Sequence, residues 1–320
     1  MAFQPTGDTP SLWLALGAFV GLPLALWVYK CIMMVVFQRK IIYMGYVPMG
    51  ARSEQLGVDV KPSKDVSCEE VSITGDGRIK LSGILVQKNT VKDPQTIILY
   101  FQGNAGNPLG RIPIFEKLLS NPSLSHSLAI LAIAPRSYWK SSSTTPTQQG
   151  LTSDYLHALS YTSHRFPNAS IILYGHSLGG AIVPCLASQL KAKDHANVKG
   201  LVLENPFSSI PGMVRALYPQ KWLPYHYLGQ LTFDKWDALH VVTNTSEESL
   251  LGKLSRSMLV MVSEKDELVP PTMGEQLFHA ASAGEGSTKR YVVIKGALHE
   301  NAWMFRQVRT KQNYATLPNE

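Results

Sequence analysis

Residues 170–183 read SIILYGHSLGGAIV, a short apolar run followed by a glycine-bounded turn and the start of an apolar helix. The turn, Gly175-His176-Ser177-Leu178-Gly179, fits the pattern G-x-S-x-G. A serine held at strained backbone angles between a strand and a helix needs neighbours without a Cβ atom two positions to either side. The pattern therefore predicts an exposed, reactive Ser177, with the N–H of Leu178 at the helix start available to a developing oxyanion. The competing interpretation is an ordinary surface Ser-Gly turn.

The sequence on both sides of this turn alternates between short apolar runs and helical patterns. The first two runs, 71–74 and 81–87, flank Gly75-Asp76-Gly77 and predict an antiparallel pair. Further apolar runs follow at 96–101, 128–132, 170–174, 200–203, 258–262 and 291–294. This alternation predicts an α/β fold, a mainly parallel sheet flanked by helices, with its chemistry beyond the carboxyl ends of the strands.

Three loops at those strand ends carry candidate site residues. The glycine-rich loop after run 96–101 predicts that the N–H of Asn104 is a second oxyanion donor, although an ordinary βα turn has the same composition. Asp266 follows run 258–262, and His299 follows the last run, just before a predicted terminal helix. Ser177, Asp266 and His299 stand in the order nucleophile, acid, histidine, which is the order of one class of serine hydrolase.

Two other carboxylates compete with Asp266 for the role of the acid. Glu264 and Glu267 lie in the same loop, but side chains of this kind are more often solvated. We therefore assign the acid to Asp266 and expect both glutamates to face solvent.

The chain resembles the α/β-hydrolase superfamily, and within it the Bem46-like group of membrane-anchored serine hydrolases. The resemblance covers roughly residue 71 to the C-terminus and rests on these motifs: Gly103-Asn104-Ala105-Gly106-Asn107, Gly175-His176-Ser177-Leu178-Gly179-Gly180, Glu204-Asn205-Pro206-Phe207, Lys235-Trp236-Asp237, Asp266-Glu267-Leu268-Val269-Pro270-Pro271 and Leu298-His299. Relatives in this group include lysophospholipid lipases and palmitoyl-protein thioesterases. The resemblance implies acyl transfer to water by Ser177, Asp266 and His299, with neither a metal nor a cofactor.

Two positions depart from the pattern of that family. Gln102-Gly103 stands where the family commonly has His-Gly, and Ala134-Pro135-Arg136-Ser137-Tyr138-Trp139 stands where it commonly has Asp-Tyr-Arg-Gly-Tyr-Gly. The first departure leaves the backbone oxyanion donor in place. The second predicts an altered loop near the site and a possible effect on the choice of substrate.

Composition excludes several other classes of protein. The chain has 320 residues, 45% of them hydrophobic, which suffices for one large α/β domain with an appendage. Its net charge of +7 comes from scattered basic residues, so we expect no nucleic-acid partner; such a surface suits anionic lipid or plain solvation. The three cysteines form neither a disulfide framework nor a metal-binding spacing.

The N-terminal segment predicts a membrane anchor. Residues 12–29 carry no charge, and the apolar run resumes after Lys30 and continues to Phe37. That length approaches the roughly 20 residues that span a bilayer, with Trp27 and Tyr29 as aromatic anchors. A cleaved signal peptide would need basic residues ahead of the apolar core, and none precedes Lys30. A buried core helix is the third interpretation.

These observations predict a membrane-anchored serine hydrolase that cleaves carboxylic esters or thioesters of lipid-like acyl substrates. We divide the chain into an anchor (1–40), a connector (41–70) and a catalytic domain (71–320), in which the aromatic segment at about 205–252 predicts a small lid or a buried insertion. The alternative is a catalytically silent scaffold with the same fold. The oligomeric state stays open.

The side of the membrane is predicted differently by two arguments. Lys30, Arg39 and Lys40 flank the C-terminal end of the span, which by the positive-inside rule puts the catalytic domain in the cytoplasm. The resemblance implies a single-pass protein of the endoplasmic reticulum with a lumenal domain. We favour the lumen, where the sequons at Asn168 and Asn244 would accept glycans.

Overall fold

A computed structural model describes residues 12–122, 127–281, 286–305 and 308–311. Its centre is one nine-stranded sheet formed by β1 (Val66–Thr74), β2 (Lys80–Lys88), β3 (Thr96–Phe101), β4 (Leu128–Ala134), β5 (Ser170–His176), β6 (Val198–Glu204), β7 (Leu259–Ser263), β8 (Arg290–Ile294) and β9 (Val308–Lys311). The strands lie in the order β1-β2-β4-β3-β5-β6-β7-β8-β9.

Nine α-helices occur in the described part of the chain. They are α1 (Leu12–Val36), α2 (Gln38–Ile42), α3 (Ile112–Leu119), α4 (Gln148–Arg165), α5 (Leu178–Ala187), α6 (Ile210–Leu217), α7 (Ala238–Thr243), α8 (Leu250–Ser255) and α9 (Pro271–Ala280). Short 3-10 helices cover Pro108–Arg111, Ala192–His195, Pro224–Leu231 and Ala302–Met304.

The sheet is parallel from β4 to β8 and antiparallel at its edges. All seven residues of β4 are buried, as expected for an apolar strand covered on both faces. Strand order reverses at β3, which has β4 on one side and β5 on the other. Open sheets of this kind bind ligands beyond the carboxyl ends of the strands at such a switch point. The pairing of Phe101 with Gly175 brings the turns after β3 and β5 together there.

The predicted α/β fold is confirmed, since each of the eight predicted apolar runs forms a strand. Two details differ. β1 begins at Val66, because residues 66–70 continue the antiparallel ladder with β2. The predicted terminal helix is wrong: the described residues after His299 form only the 3-10 helix Ala302–Met304 and then β9, which pairs antiparallel with the edge strand β8.

α1 is the one helix of the described chain that is long and apolar enough to cross a bilayer. Its candidate span, Trp13–Val36, has a mean hydropathy of 2.0. None of that window is buried against the rest of the protein, so the interpretation as a buried core helix is wrong.

Candidate active site

The strained turn at Ser177 joins β5 to α5. Ser177 has φ +52° and ψ −113°, in a region that side chains rarely adopt. A Cβ atom on Gly175 would collide with the carbonyl of Gly179, and one on Gly179 with the carbonyl of Phe101. Both glycines are therefore required by close backbone approach. The expectation that Ser177 is exposed is wrong, since the residue is only 7% accessible to solvent.

Asp266 and His299 form a close, buried pair of side chains in the site. His299 Nδ1 lies 2.7 Å from Asp266 Oδ2, and both side chains are 2% exposed. The other carboxylate oxygen of Asp266 accepts hydrogen bonds from the N–H groups of Leu268 (2.9 Å) and Val269 (2.8 Å). These bonds hold the carboxylate in one orientation, so that it can orient the imidazole.

The two competing glutamates hold the histidine loop by its main chain. Glu267 Oε2 accepts from the His299 N–H at 3.1 Å, and Glu264 Oε2 accepts from the Gly296 N–H at 2.9 Å. Both residues are exposed, as expected, and in addition they accept these main-chain hydrogen bonds. Neither carboxylate takes the place of Asp266 beside the imidazole.

Asn205 connects three strand ends. Its Nδ2 donates to the His299 carbonyl at 2.8 Å, and its Oδ1 accepts from the Ser263 N–H at 2.7 Å. Asn205 has φ +46°, which an asparagine tolerates better than most residues, and it is almost fully buried. The side chain therefore ties the end of β6 to the end of β7 and to the histidine loop.

His176, the residue before the serine, is buried between Arg111 and His299. Arg111 Nη2 donates to His176 Nδ1 at 2.6 Å, and His176 Nε2 faces the His299 carbonyl at 3.5 Å. Burial, and next the Arg111 guanidinium, lowers the pKa of His176 well below its usual range. His176 is therefore neutral, with Nδ1 as acceptor and Nε2–H as donor.

Arg111 also contacts acidic groups. Its Nη2 lies 2.7 Å from Glu300 Oε2. Glu204, at the end of β6, is buried, accepts from the Tyr174 hydroxyl at 2.9 Å, and its main-chain carbonyl accepts from the Ser177 N–H at 2.9 Å. Burial raises the pKa of Glu204, while Arg111 opposes that shift. Arg111 thus compensates charge beneath the serine turn.

The predicted oxyanion turn lies directly against Ser177. A Cβ atom on Gly103 would lie 3.2 Å from His176 Nδ1 and 3.6 Å from Ser177 Cβ. The Asn104 carbonyl accepts from the Met44 N–H (2.6 Å) and the Tyr138 hydroxyl (3.0 Å). The turn is therefore held by the segment after α2 and by the loop that departs from the family pattern. Leu178, the first residue of α5, is buried beside it.

A cavity of about 260 Å³ opens beside this turn. Gly103, Asn104 and Gly106 line one part of it, and Arg111 and Glu300 line another. The site therefore adjoins a space large enough for part of an organic substrate.

One cluster in the site brings possible metal ligands together, but its surroundings oppose a cation. Ligand atoms of His176, His299 and Glu300 lie within 4.8 Å of one another. The Arg111 guanidinium contacts both His176 and Glu300, and Asp266 binds His299 Nδ1. A metal ion would have to displace a fixed positive charge, so these residues fit a metal poorly.

The structure brings the predicted residues to one end of the sheet and adds others that the sequence did not single out for a role. Asn205 lies directly after β6, so its position at a strand end is a signal in the sequence. Arg111 carries no such signal, because it is the last residue of a 3-10 helix beyond the loop after β3 and reaches His176 only through the fold.

Comparison with known proteins identifies two relatives of particular interest. The chain is 26% identical over 244 residues to protein Bem46 of Schizosaccharomyces pombe, which covers 76% of this chain and 74% of Bem46. It is 27% identical over 201 residues to the lysophosphatidylserine lipase ABHD12 of Bos taurus, which covers 61% of this chain and 48% of that protein. No family model matches the chain.

Solved structures resemble the fold. An esterase of Pyrobaculum calidifontis superposes with a TM-score of 0.52 at 16% identity, over 81% of this chain and 82% of the esterase. At that identity the likeness concerns the fold alone. The chain therefore has an α/β-hydrolase fold, and its sequence is similar to that of Bem46.

Proposed function

We propose that this protein is a membrane-anchored serine hydrolase that cleaves carboxylic ester or thioester bonds of lipid-like acyl substrates. The observation that carries the proposal is the 2.7 Å contact between Asp266 and His299 beside the strained serine turn. A binding module has no use for a strained serine, because such a conformation costs of order 1–3 kcal/mol. The name of the ABHD12 relative supports a lipid substrate.

In the proposed mechanism, His299 Nε2 takes the proton of the Ser177 hydroxyl while Oγ attacks the substrate carbonyl. The N–H groups of Leu178 and Asn104 stabilise the oxyanion. Loss of one such donor typically lowers kcat by about 10²–10³-fold. Imidazolium then protonates the departing alcohol or thiol, which leaves an acyl-enzyme. Water, deprotonated by His299, attacks that ester and releases the acid and free Ser177. Asp266 orients the imidazole and stabilises its charged form.

The connection to the membrane belongs to the same proposal. α1 is the anchor, the segment at about 205–252 is the lid, and the compartment is the endoplasmic reticulum with the catalytic domain in the lumen. Asn168 and Asn244, the two sequon asparagines, are exposed and so accessible to glycan transfer. We expect endoglycosidase H to shift the native protein, but not a variant with Asn168→Gln and Asn244→Gln. Protease digestion of the domain in sealed microsomes, without such a shift, would establish the cytoplasmic side.

The activity is tested by labelling full-length protein in membranes with a serine-directed fluorophosphonate probe. The wild type is expected to be labelled. Ser177→Ala should lose labelling and turnover, because the substitution removes the nucleophilic hydroxyl, and it should keep the fold, because it removes nothing else. A thermal melt in detergent controls for folding of the variant. No labelling of folded wild type would favour the silent scaffold, and labelling of Ser177→Ala would remove Ser177 as nucleophile.

A further inference from the structure

Half of the exposed large apolar side chains of the catalytic domain lie in one short segment. Within the described residues from 71 onward, ten large apolar side chains are exposed, and five of them lie between residues 217 and 233. These five, each between 52% and 72% exposed, are here called the interface patch: Leu217, Trp222, Tyr227, Leu231 and Phe233. An apolar surface of this kind indicates a partner or a membrane.

The interface patch is attached to the C-terminal half of α1 through aromatic and cationic side chains. The rings of Trp27 and Trp222 lie 6.3 Å apart. The Lys30 ammonium lies 4.8 Å above the ring of Tyr225, which is in the same segment. Trp27 and Lys30, which both lie near the predicted end of the membrane span, therefore contact residues 222–225.

A second set of contacts involves the residues that follow α1. Gln38 Nε2 donates to the Leu231 carbonyl at 3.2 Å, and Gln38 Oε1 accepts from the Phe233 N–H at 2.7 Å. Arg39 Nε donates to Asp234 Oδ2 at 3.0 Å. Gln38 and Asp234 are buried, so water does not compete for these hydrogen bonds. The bonds therefore hold the interface patch at a defined position relative to α1.

This position coincides with the boundary of the bilayer. Lys30 is the first charge after the apolar run, so its ammonium must reach the headgroup region. From Trp13 to Lys30 a helix rises about 26 Å, close to the roughly 30 Å of the hydrocarbon core. Residues in contact with Trp27 and Lys30 therefore lie at the interface with water.

The chemistry of the segment fits the same boundary. Tryptophan and tyrosine favour the headgroup region, where one end of the ring is apolar and the other is wet. Residues 205–233 contain no aspartate or glutamate, whereas Arg215 and Lys221 are basic. Apolar rings with flanking basic residues are typical of peptides that lie in the interface of a membrane.

We propose that the interface patch inserts into the headgroup and upper acyl region of the leaflet from which α1 emerges. The segment 217–233 is then a second, monotopic membrane contact that sets the orientation of the catalytic domain on the bilayer. This inference rests on the proposed anchoring by α1 and is independent of the proposed hydrolase chemistry.

The test places an environment-sensitive fluorophore on single cysteines in the full chain, reconstituted in nanodiscs. Leu231→Cys and Tyr227→Cys probe the interface patch, and Val58→Cys is the control, since Val58 is also well exposed but lies in the connector. The native cysteines are replaced by alanine in all three variants. A probe at 231 or 227 should show blue-shifted emission and at least threefold stronger quenching by doxyl-labelled lipids than the probe at 58.

If the protein stays in the nanodiscs but the probes at 231 and 227 show the same emission and quenching as the probe at 58, the inference is overturned. Extraction of the chain by alkaline carbonate would overturn the anchoring and the inference together. Fluorophosphonate labelling of the same samples measures the reactivity of the active-site serine independently. A failure of catalysis is therefore distinguishable from a failure of membrane contact. Thermal melts confirm that each cysteine variant is folded.

Discussion

Asn205 Nδ2 donates to the main-chain carbonyl of His299 over 2.8 Å, across 94 residues of sequence. The same amide accepts from the Ser263 N–H, so one side chain sets the spacing between the loop that carries Asp266 and the loop that carries His299. A displacement of about 1 Å in a catalytic group costs up to 10²-fold in rate. Asn205 is therefore a positioning residue for the proposed mechanism.

Asn205→Gly should lower kcat on a soluble ester by about 10–10²-fold with little change in KM, because the histidine loop loses a support while the substrate contacts remain. Glycine suits the positive φ at this position, whereas Asn205→Ala adds backbone strain of roughly 1–2 kcal/mol. We therefore expect similar kcat values for the two variants but a lower melting temperature for alanine. A wild-type kcat for Asn205→Gly would contradict the positioning role.

Asp266→Asn and His299→Ala should each reduce turnover by several orders of magnitude, on the precedent of about 10⁴ for the acid of a serine triad. Glu264→Gln and Glu267→Gln keep an oxygen that accepts the Gly296 and His299 N–H groups, so we expect much smaller losses. Steady-state kinetics on all four variants decide the assignment. A Glu267→Gln variant slower than Asp266→Asn would show that the acid is wrongly assigned.

The protein should lose stability as the pH falls below about 6.5, and His176 is the expected cause. An unfolded histidine binds a proton at about that pH. The pKa of folded His176 is lowered by burial and by Arg111, so the unfolded state binds more protons below pH 6.5 and the free energy of unfolding declines there. The slope for one proton is at most about 1.4 kcal/mol per pH unit.

His176→Gln isolates this contribution, because glutamine can accept from Arg111 without titrating. Melting temperatures in detergent between pH 5.5 and 7.5 should fall less steeply for the variant than for the wild type. Glu204, whose pKa is raised by burial, has the opposite pH dependence in the window above its unfolded value, and it is present in both proteins. Parallel curves would contradict the assignment to His176.

Gln102→Met should stabilise the protein by about 1 kcal/mol. Gln102 is 4% exposed, and neither atom of its side-chain amide has a hydrogen-bond partner among the described residues. An unpaired buried amide costs about 1–3 kcal/mol, which an apolar side chain of similar shape avoids. Gln148→Met is the matched control, since Gln148 Oε1 accepts from the Lys235 and Trp236 N–H groups. The free energy of unfolding, measured by chemical denaturation, should rise for Gln102→Met and fall for Gln148→Met. A lower value for Gln102→Met would show that the amide is needed.

Local sequence patterns were sufficient for the fold and for the loops of the site. Period-two and apolar runs report burial directly, so the strands from β1 to β8 were predictable. Gly175 and Gly179 marked the strained turn, because the need for a missing Cβ is local. β9, which takes the place of the predicted helix in the described residues after His299, was not predictable, since an edge strand is selected by its partner.

Other parts of the site depended on distances that no local pattern encodes. Arg111 reaches His176 over 65 residues, because the sheet brings the turns after β3 and β5 together, and Met44, after α2, reaches the Asn104 carbonyl over 60. The low exposure of Ser177 likewise follows from the loops packed around it. The sequence by itself determined the elements and the residue types at the strand ends, whereas tertiary packing decided which of them touch. Hydrogen bonding and charge compensation act through space, so their partners are known only when the chain has folded.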